Sequence, residues 1–402
     1  MRSAPRFGLT ARQWAVGLAG YCTFVNLYSP QAILPLLSTE FGAGAAEIST
    51  IMTASTLAVA LTAPFTGTVA DVLGRKRVIV TAMLLLGLPT LMCALAPNLH
   101  ALVFWRFVQG LVIPPVFAVT IAYIGDEWEP HEATAAAGVY TSGASIGGFS
   151  GRFITGVLSD VIGWRYALDC IALMTLAGGI AVLFLLPRER KFIRSEGLVA
   201  SGKQMLQHFR NMQLLATYAV GFGVLFCFVS TFTYINFRLA APPYDLSATW
   251  LGAIFFVYLV GSGLAPMAGW AVGRFGRRRF MIPVMGLWIG GVLLTLSEPL
   301  WLIVLGLTIC ASCGLICQTI STGYVTITAK AGRSSAVGLY VTSFYIGGSF
   351  GAALGGIAWI FGGWPACAAM IVAIQLGMAA IIYFAWARRV PPAPAITPVE
   401  PL

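Results

Sequence analysis

Twelve apolar stretches, each near the roughly 20 residues that carry a helix across a hydrocarbon core, limit this chain more than any other feature. They fall near 13–37, 47–70, 78–96, 99–125, 132–160, 164–186, 211–238, 247–272, 280–297, 299–328, 334–361 and 364–387. Strands of a membrane barrel would alternate apolar and polar residues with period two. These runs are apolar all round, so the spans are helices. Charged residues make up only 9% of the chain, against about 25% in soluble domains. Too few polar side chains remain to clothe a water-soluble surface.

The chain also repeats itself. Tyr140, Ile146, Gly147, Gly148, Gly151, Gly156, Gly163 and Trp164 recur as Tyr340, Ile346, Gly347, Gly348, Gly351, Gly356, Gly363 and Trp364, at one constant offset of 200 in 402 residues. A second pair of stretches repeats at an offset of 202, with Gly67, Gly74 and Arg75 matching Gly269, Gly276 and Arg277, while Gly273 replaces Asp71. The expected architecture is therefore an all-α membrane protein of 12 transmembrane helices in two pseudo-symmetric six-helix bundles. Their expected bounds are 1–186 and 211–388, joined by a basic connection at 187–210 and followed by a flexible Pro-rich tail at 389–402. A site between the two halves is the usual consequence of such duplication.

A net charge of +10 would suit a nucleic-acid partner, but its placement argues for topology instead. All but four of the 24 Lys and Arg lie before the first stretch, in the even-numbered connections, or after the last stretch. This asymmetry places both termini and the 187–210 connection in the cytoplasm, against anionic lipid. The apolar run after Trp14 is too long for a signal-peptide core, so it reads as an uncleaved first span. The eight cysteines fall inside the stretches and imply no disulfide framework.

Gly67-x-x-x-Asp71-x-x-Gly74-Arg75-Lys76-Arg77 sits between the second and third stretches, and Arg106-Phe-Val-Gln109-Gly110 lies in the fourth. Together with the repeat, they resemble the signatures of the major facilitator superfamily of secondary transporters. Tyr28-x-x-Gln31 before Leu34-Pro35, and Gly147-Gly148-Phe-Ser-Gly151-Arg152, resemble its YnfM-like branch, grouped with the arabinose-efflux and drug-exporter permeases. Ala144 stands where the exporter signature carries proline. The resemblance implies a monomer in the bacterial cytoplasmic (inner) membrane that moves a small-molecule substrate by alternating access, exporting it with protons as the coupling ion. An uptake system or a facilitator is the alternative. It also implies a conformational latch of Asp71, Gly74, Arg75 and Asp126, in which the aspartate meets the eleventh helix and Arg75 meets Asp126. Independently of the family, a carboxylate such as Asp71 suits the free N–H groups that begin a helix.

Charges inside spans are functional candidates by default. Arg106, Arg152 and Asp169 lie roughly 8–13 Å from the face opposite the basic clusters, at 1.5 Å per residue. The expected arrangement pairs Arg152 with Asp169 as the coupling element and leaves Arg106 to the substrate, which would then be anionic, zwitterionic or rich in acceptors. Asn26, Tyr28, Gln31, Gln109, Tyr234, Asn236 and Gln318 complete the substrate-binding set, since the first, fourth, seventh and tenth helices line the cavity in the family. Cys310, Cys313 and Cys317 share a helix face, and with His208, Met212, Met281 and Met285 they raise a soft-metal (copper) importer as a weaker alternative. Cysteine and methionine are equally at home as core hydrophobes, and no bound metal or other cofactor is expected. The chain has no zinc-protease, nucleophile-elbow or phosphate-loop motif, so it is not read as an enzyme.

Overall fold

The computed structural model describes residues 9–189, 208–329 and 333–386. Most of the 187–210 connection and all of the 389–402 tail lie outside them. Among the described residues the chain is helical, with no strand. The first span runs over Ala11–Tyr28, a 3-10 turn at Ser29–Ile33 and Leu34–Phe41; the second covers Ala45–Ile48 and Thr50–Leu73. Arg75–Ala94, Leu99–Glu127, Pro130–Ile162 and Trp164–Leu185 complete the first bundle. The second bundle opens with Met212–Ala240. Its next span is broken into Ala248–Ala253, Val257–Leu264 and Met267–Phe275, and is followed by Arg277–Leu294 and Leu300–Thr328. The last two spans are the limbs of Arg333–Ala385, parted at Gly362 and Gly363, where the backbone leaves helical geometry.

Taken singly, seven helices among the described residues are long and apolar enough to cross a membrane, and the pair bent by 50° at 264–267 makes an eighth. The count falls below twelve for physical reasons. The 333–385 helix holds two spans, and Arg277–Leu294 spends three of its 18 residues on arginine. Ala11–Tyr28 and Pro130–Ile162 carry small and polar residues along the faces they bury against protein rather than lipid.

Local chemistry sets the helix ends. Thr10 and Gln13 form a capping box on the first helix, and Asn98 and Asn211 accept from the opening amides of the fourth and seventh spans. Gly74 and Gly276 end matched helices with φ of +92° and +80°. A side chain rarely adopts that conformation, which explains why both copies of the basic turn keep glycine.

Small residues bring the helices together. A Cβ on Gly147 or Gly151 would collide with the backbone of Tyr21 or Val25 in the first span. The equivalents Gly347 and Gly351 would collide with Phe222 and Phe226 in the seventh. The offset-200 glycines are thus the same crossing built twice, the close approach that packs helices where lipid supplies no hydrophobic drive.

Candidate functional site

The two bundles meet most closely toward the face opposite the basic clusters. Five hydrogen bonds joining them lie there or near mid-depth. Gln31 accepts from Asn236 Nδ2 through its backbone oxygen (2.9 Å) and donates to Thr233 (3.1 Å). Ser49 donates to the Ala352 carbonyl (3.2 Å), Thr56 bonds Ser349 (2.9 Å), and Thr249 N–H donates to Asp160 Oδ2 (2.8 Å). Gly156 packs on Ala248, and Gly356 packs on Ala46, so each bundle's fifth helix seats on the start of the other's second helix. The contact reaches mid-depth at the ring pair Phe117–Tyr345, with centroids 6.1 Å apart.

At the heart of this contact sits Arg152, 3% exposed. Its Nε donates to Gln31 Oε1 (2.8 Å) and its Nη1 to the Gly148 carbonyl one turn back (2.6 Å). The guanidinium carbon lies 4.1 Å from the Tyr28 ring centroid, 4.4 Å from Phe255 and 5.1 Å from Tyr258. Tyr28 belongs to the first bundle, Phe255 and Tyr258 to the second. Gly252 allows the approach by packing on the backbone of Arg152 and Phe153. No carboxylate forms an ion pair with Arg152 among the described residues. The expected pairing with Asp169 is therefore not formed: the guanidinium is occupied by Gln31 and three rings. Asp169 is partly buried in the sixth span, and its Oδ1 has no hydrogen-bond partner.

Arg106 also takes a place the sequence does not suggest. It is 1% exposed and donates to the Asn26 carbonyl (2.9 Å), the Leu27 carbonyl (2.6 Å), Ser55 Oγ (3.0 Å) and Gln109 Oε1. The first helix changes to a 3-10 turn at Ser29-Pro30. That break leaves carbonyls at the negative end of a helix dipole, where a cation is stabilised. Asn26 and Gln109 extend the same network through Thr90 and Thr175. The bonds of Arg106 all stay inside the first bundle, where they satisfy the carbonyls at the break of the first helix and bring it no partner from the second bundle.

The remaining candidates separate clearly. Tyr28, Gln31 and Asn236 sit at the meeting of the bundles. Tyr234 donates to the Ala352 carbonyl (2.5 Å), the one that Ser49 of the first bundle also bonds, and so borders the meeting of the bundles too, whereas Gln318 is half-buried in the tenth span. Cys310 Sγ faces the Trp288 carbonyl and Cys317 faces Ser321, and no group of three or more His, Cys, Asp or Glu is placed to hold a metal among the described residues. A separate apolar groove of about 590 Å³ lies between the seventh and last two spans, away from Arg152.

At the basic face, Arg75 pairs with Asp126 at 2.5 Å and more distantly with Asp71 at 3.8 Å. Asp71 is about a third exposed. Burial raises its carboxyl above the usual range, Arg75 opposes that shift and Asp126 adds to it. Glu189, which the sequence reading did not single out, lies against Gly74 and accepts from Lys76 N–H (3.4 Å) at the start of the third helix.

Residues 16–262 and 239–401 match the family model described as Major Facilitator Superfamily. The inner membrane transport protein YnfM of Escherichia coli (strain K12) is 34% identical over 386 residues, covering 95% of this chain and 91% of that protein. The multidrug resistance protein Stp of Mycobacterium tuberculosis (strain ATCC 25618 / H37Rv) is 26% identical, covering 86% and 75%. Among solved structures, the nucleoside transporter NupG superposes with a TM-score of 0.76 at 14% identity, over 92% of this chain and 98% of that one. It shares the fold.

Proposed function

This chain belongs to the Major Facilitator Superfamily, and from that membership we propose that it exports a small organic solute across the bacterial inner membrane in exchange for protons. It is a multi-pass membrane transporter, and the proposal concerns direction, coupling and site. With the basic face taken as cytoplasmic, the structure corresponds to the stage closed toward the outside. The gathering of inter-bundle bonds around Gln31, Ser49, Thr56 and Asp160 carries this reading. The latch residues Asp71, Gly74, Arg75 and Asp126 would close the cytoplasmic face in the alternate stage.

Export is favoured by the likeness to multidrug resistance proteins. For the proton, Asp169 is the candidate carrier: a carboxylate within a span, with one buried oxygen and no donor against it. Proteoliposomes carrying a trapped pH dye test the proposal against a panel of organic solutes. A solute that moves should drive an opposite proton flux, and Asp169→Asn should abolish that flux while solute exchange continues. Solute movement with no proton flux in the parent protein would make it a facilitator.

A further inference from the structure

We propose that Arg152, with Tyr28, Gln31, Phe255 and Tyr258, is the binding site for a monocarboxylate with an apolar or aromatic body. The inference rests on the transport reading above and adds the substrate class. Removing a guanidinium from water costs several kcal/mol unless charge and hydrogen bonds compensate. Here compensation is partial. Nε and Nη1 each have an acceptor, and no hydrogen bond from Nη2 is formed among the described residues, where that nitrogen is not sealed off. No carboxylate answers the charge. Each ring face offsets part of the charge, and two of the three rings belong to the other bundle.

That division gives the site its switch. When the bundles part at the face now closed, Phe255 and Tyr258 leave with the second bundle, and Arg152, Tyr28 and Gln31 remain on the first. The exposed guanidinium then offers Nη2 to a carboxylate, which takes Arg in a planar forked geometry that a neutral amide or an amine cannot match. A single uncompensated positive charge calls for a single anionic group. The flanking rings of Tyr28, Phe255 and Tyr258 give an apolar body its faces. In the closed stage the second bundle's rings take the place of the ligand over the cation, so an outgoing anion reaches Arg152 only as this face opens and is displaced outward when the rings return.

The test uses the full chain in lipid nanodiscs with benzoate, phenylacetate and hexanoate as probes, and benzamide and benzylamine as their neutral and cationic counterparts. At least one carboxylate should raise the thermal unfolding midpoint of the parent protein, with the amide and amine inactive. Arg152→Lys keeps the charge but loses the fork, and should weaken that carboxylate at least tenfold while the protein stays folded. The proposal is overturned if none of the carboxylates shifts the midpoint, if benzamide or benzylamine matches the most effective carboxylate, or if Arg152→Lys binds like the parent. Spin labels at Val161→Cys and Glu298→Cys, on opposite bundles, read the separation of the closed face independently. If that separation still responds to a change of bulk pH while carboxylates fail, the substrate class falls and the transport reading stands.

Discussion

Asp160 Oδ2 accepts the backbone N–H of Thr249 at 2.8 Å, so a carboxylate from the first bundle caps the opening helical turn of the eighth span in the second. Burial raises the Asp160 carboxyl, but bonds from the Thr249 side chain and backbone, Ser247 and the Ala248 backbone outweigh it, leaving the group below the usual carboxylate range. The pseudo-symmetric position is Ile360, which cannot cap. One side of the closed face is therefore bonded through charge, whereas the other packs Gly356 on Ala46 and bonds Ser49 to the Ala352 carbonyl.

Asp160→Ala should shift the balance toward opening of this face. Loss of a helix cap costs about 0.5–2 kcal/mol, a change of roughly twofold to thirtyfold in the equilibrium at 1.4 kcal/mol per decade. Spin-label distances between Val161→Cys and Glu298→Cys read it directly. A depressed carboxylate stabilises above its ordinary pKa and loses that contribution as pH falls through the lowered value. The parent protein should therefore hold this contact unchanged down to about pH 4, the ordinary carboxylate value. A distance distribution unchanged by Asp160→Ala would show the cap to be idle.

Gly347→Leu should prevent a stable bundle. The added side chain would meet the Phe222 backbone, which cannot move aside as a flexible side-chain tip could. Overpacking costs typically 1–3 kcal/mol, occasionally more, and this site belongs to the worse end because the clash is with main chain. Gly286→Leu is the control, since a Cβ there meets nothing within 4 Å. Size-exclusion profiles and unfolding midpoints of the two variants in detergent separate them. Equal stability would mean that the seventh and eleventh spans do not need their close approach.

Much of the architecture was readable because hydrophobic length and glycine repeats are direct consequences of crossing lipid. The Arg75–Asp126 pair was readable too, since both charges sit at helix ends on one face. The partners of the buried arginines were not. Arg106 is held by the Asn26 and Leu27 carbonyls, which exist at every position and leave no pattern, although Ser29-Pro30 marks the break that frees them. Arg152 is held by Phe255 and Tyr258, which by composition look like ordinary lipid-span aromatics. Counting charges predicted a carboxylate for it, while polarizable rings from the other bundle do that work. Asp160 escaped notice because a helix-end carboxylate is commonplace until its partner across the interface is known.

The latch at the basic face should respond to pH. Asp71 is raised in this stage, chiefly by burial, and a raised carboxylate costs stability once ionised. The penalty is present above the raised value and disappears as pH falls through it toward the ordinary carboxylate value. Acidifying the basic face should thus favour the present stage over one in which Asp71, ionised, meets a helix start. Asp71→Asn should remove that pH response, and Arg75→Ala should shift the resting balance by about 1–3 kcal/mol. Spin labels at Leu73→Cys and Phe275→Cys, near the matched turns, report it. Identical pH profiles for parent and Asp71→Asn would assign the motif to topology alone.

Arg106 separates structure from recognition most sharply. Its removal strands the Leu27 carbonyl and Gln109 Oε1 in a site 1% exposed, whereas the Asn26 carbonyl keeps Ser29 Oγ and Ser55 Oγ keeps the Ile51 and Met52 carbonyls. Each buried group left without a partner costs about 1–3 kcal/mol, so Arg106→Ala should lose about 3 kcal/mol or more and lower the unfolding midpoint. Arg106→Lys should fall between, because one ammonium cannot reproduce a planar fork of five donors. Gln109→Leu combined with Arg106→Ala should cost less than the two changes added, since Gln109 Oε1 is then no longer stranded. Carboxylate affinity in the folded fraction should stay within a few-fold of the parent, because every Arg106 bond closes within the first bundle, apart from Arg152. A stable Arg106→Ala protein that has lost carboxylate binding would put this residue in the site and displace Arg152 from it.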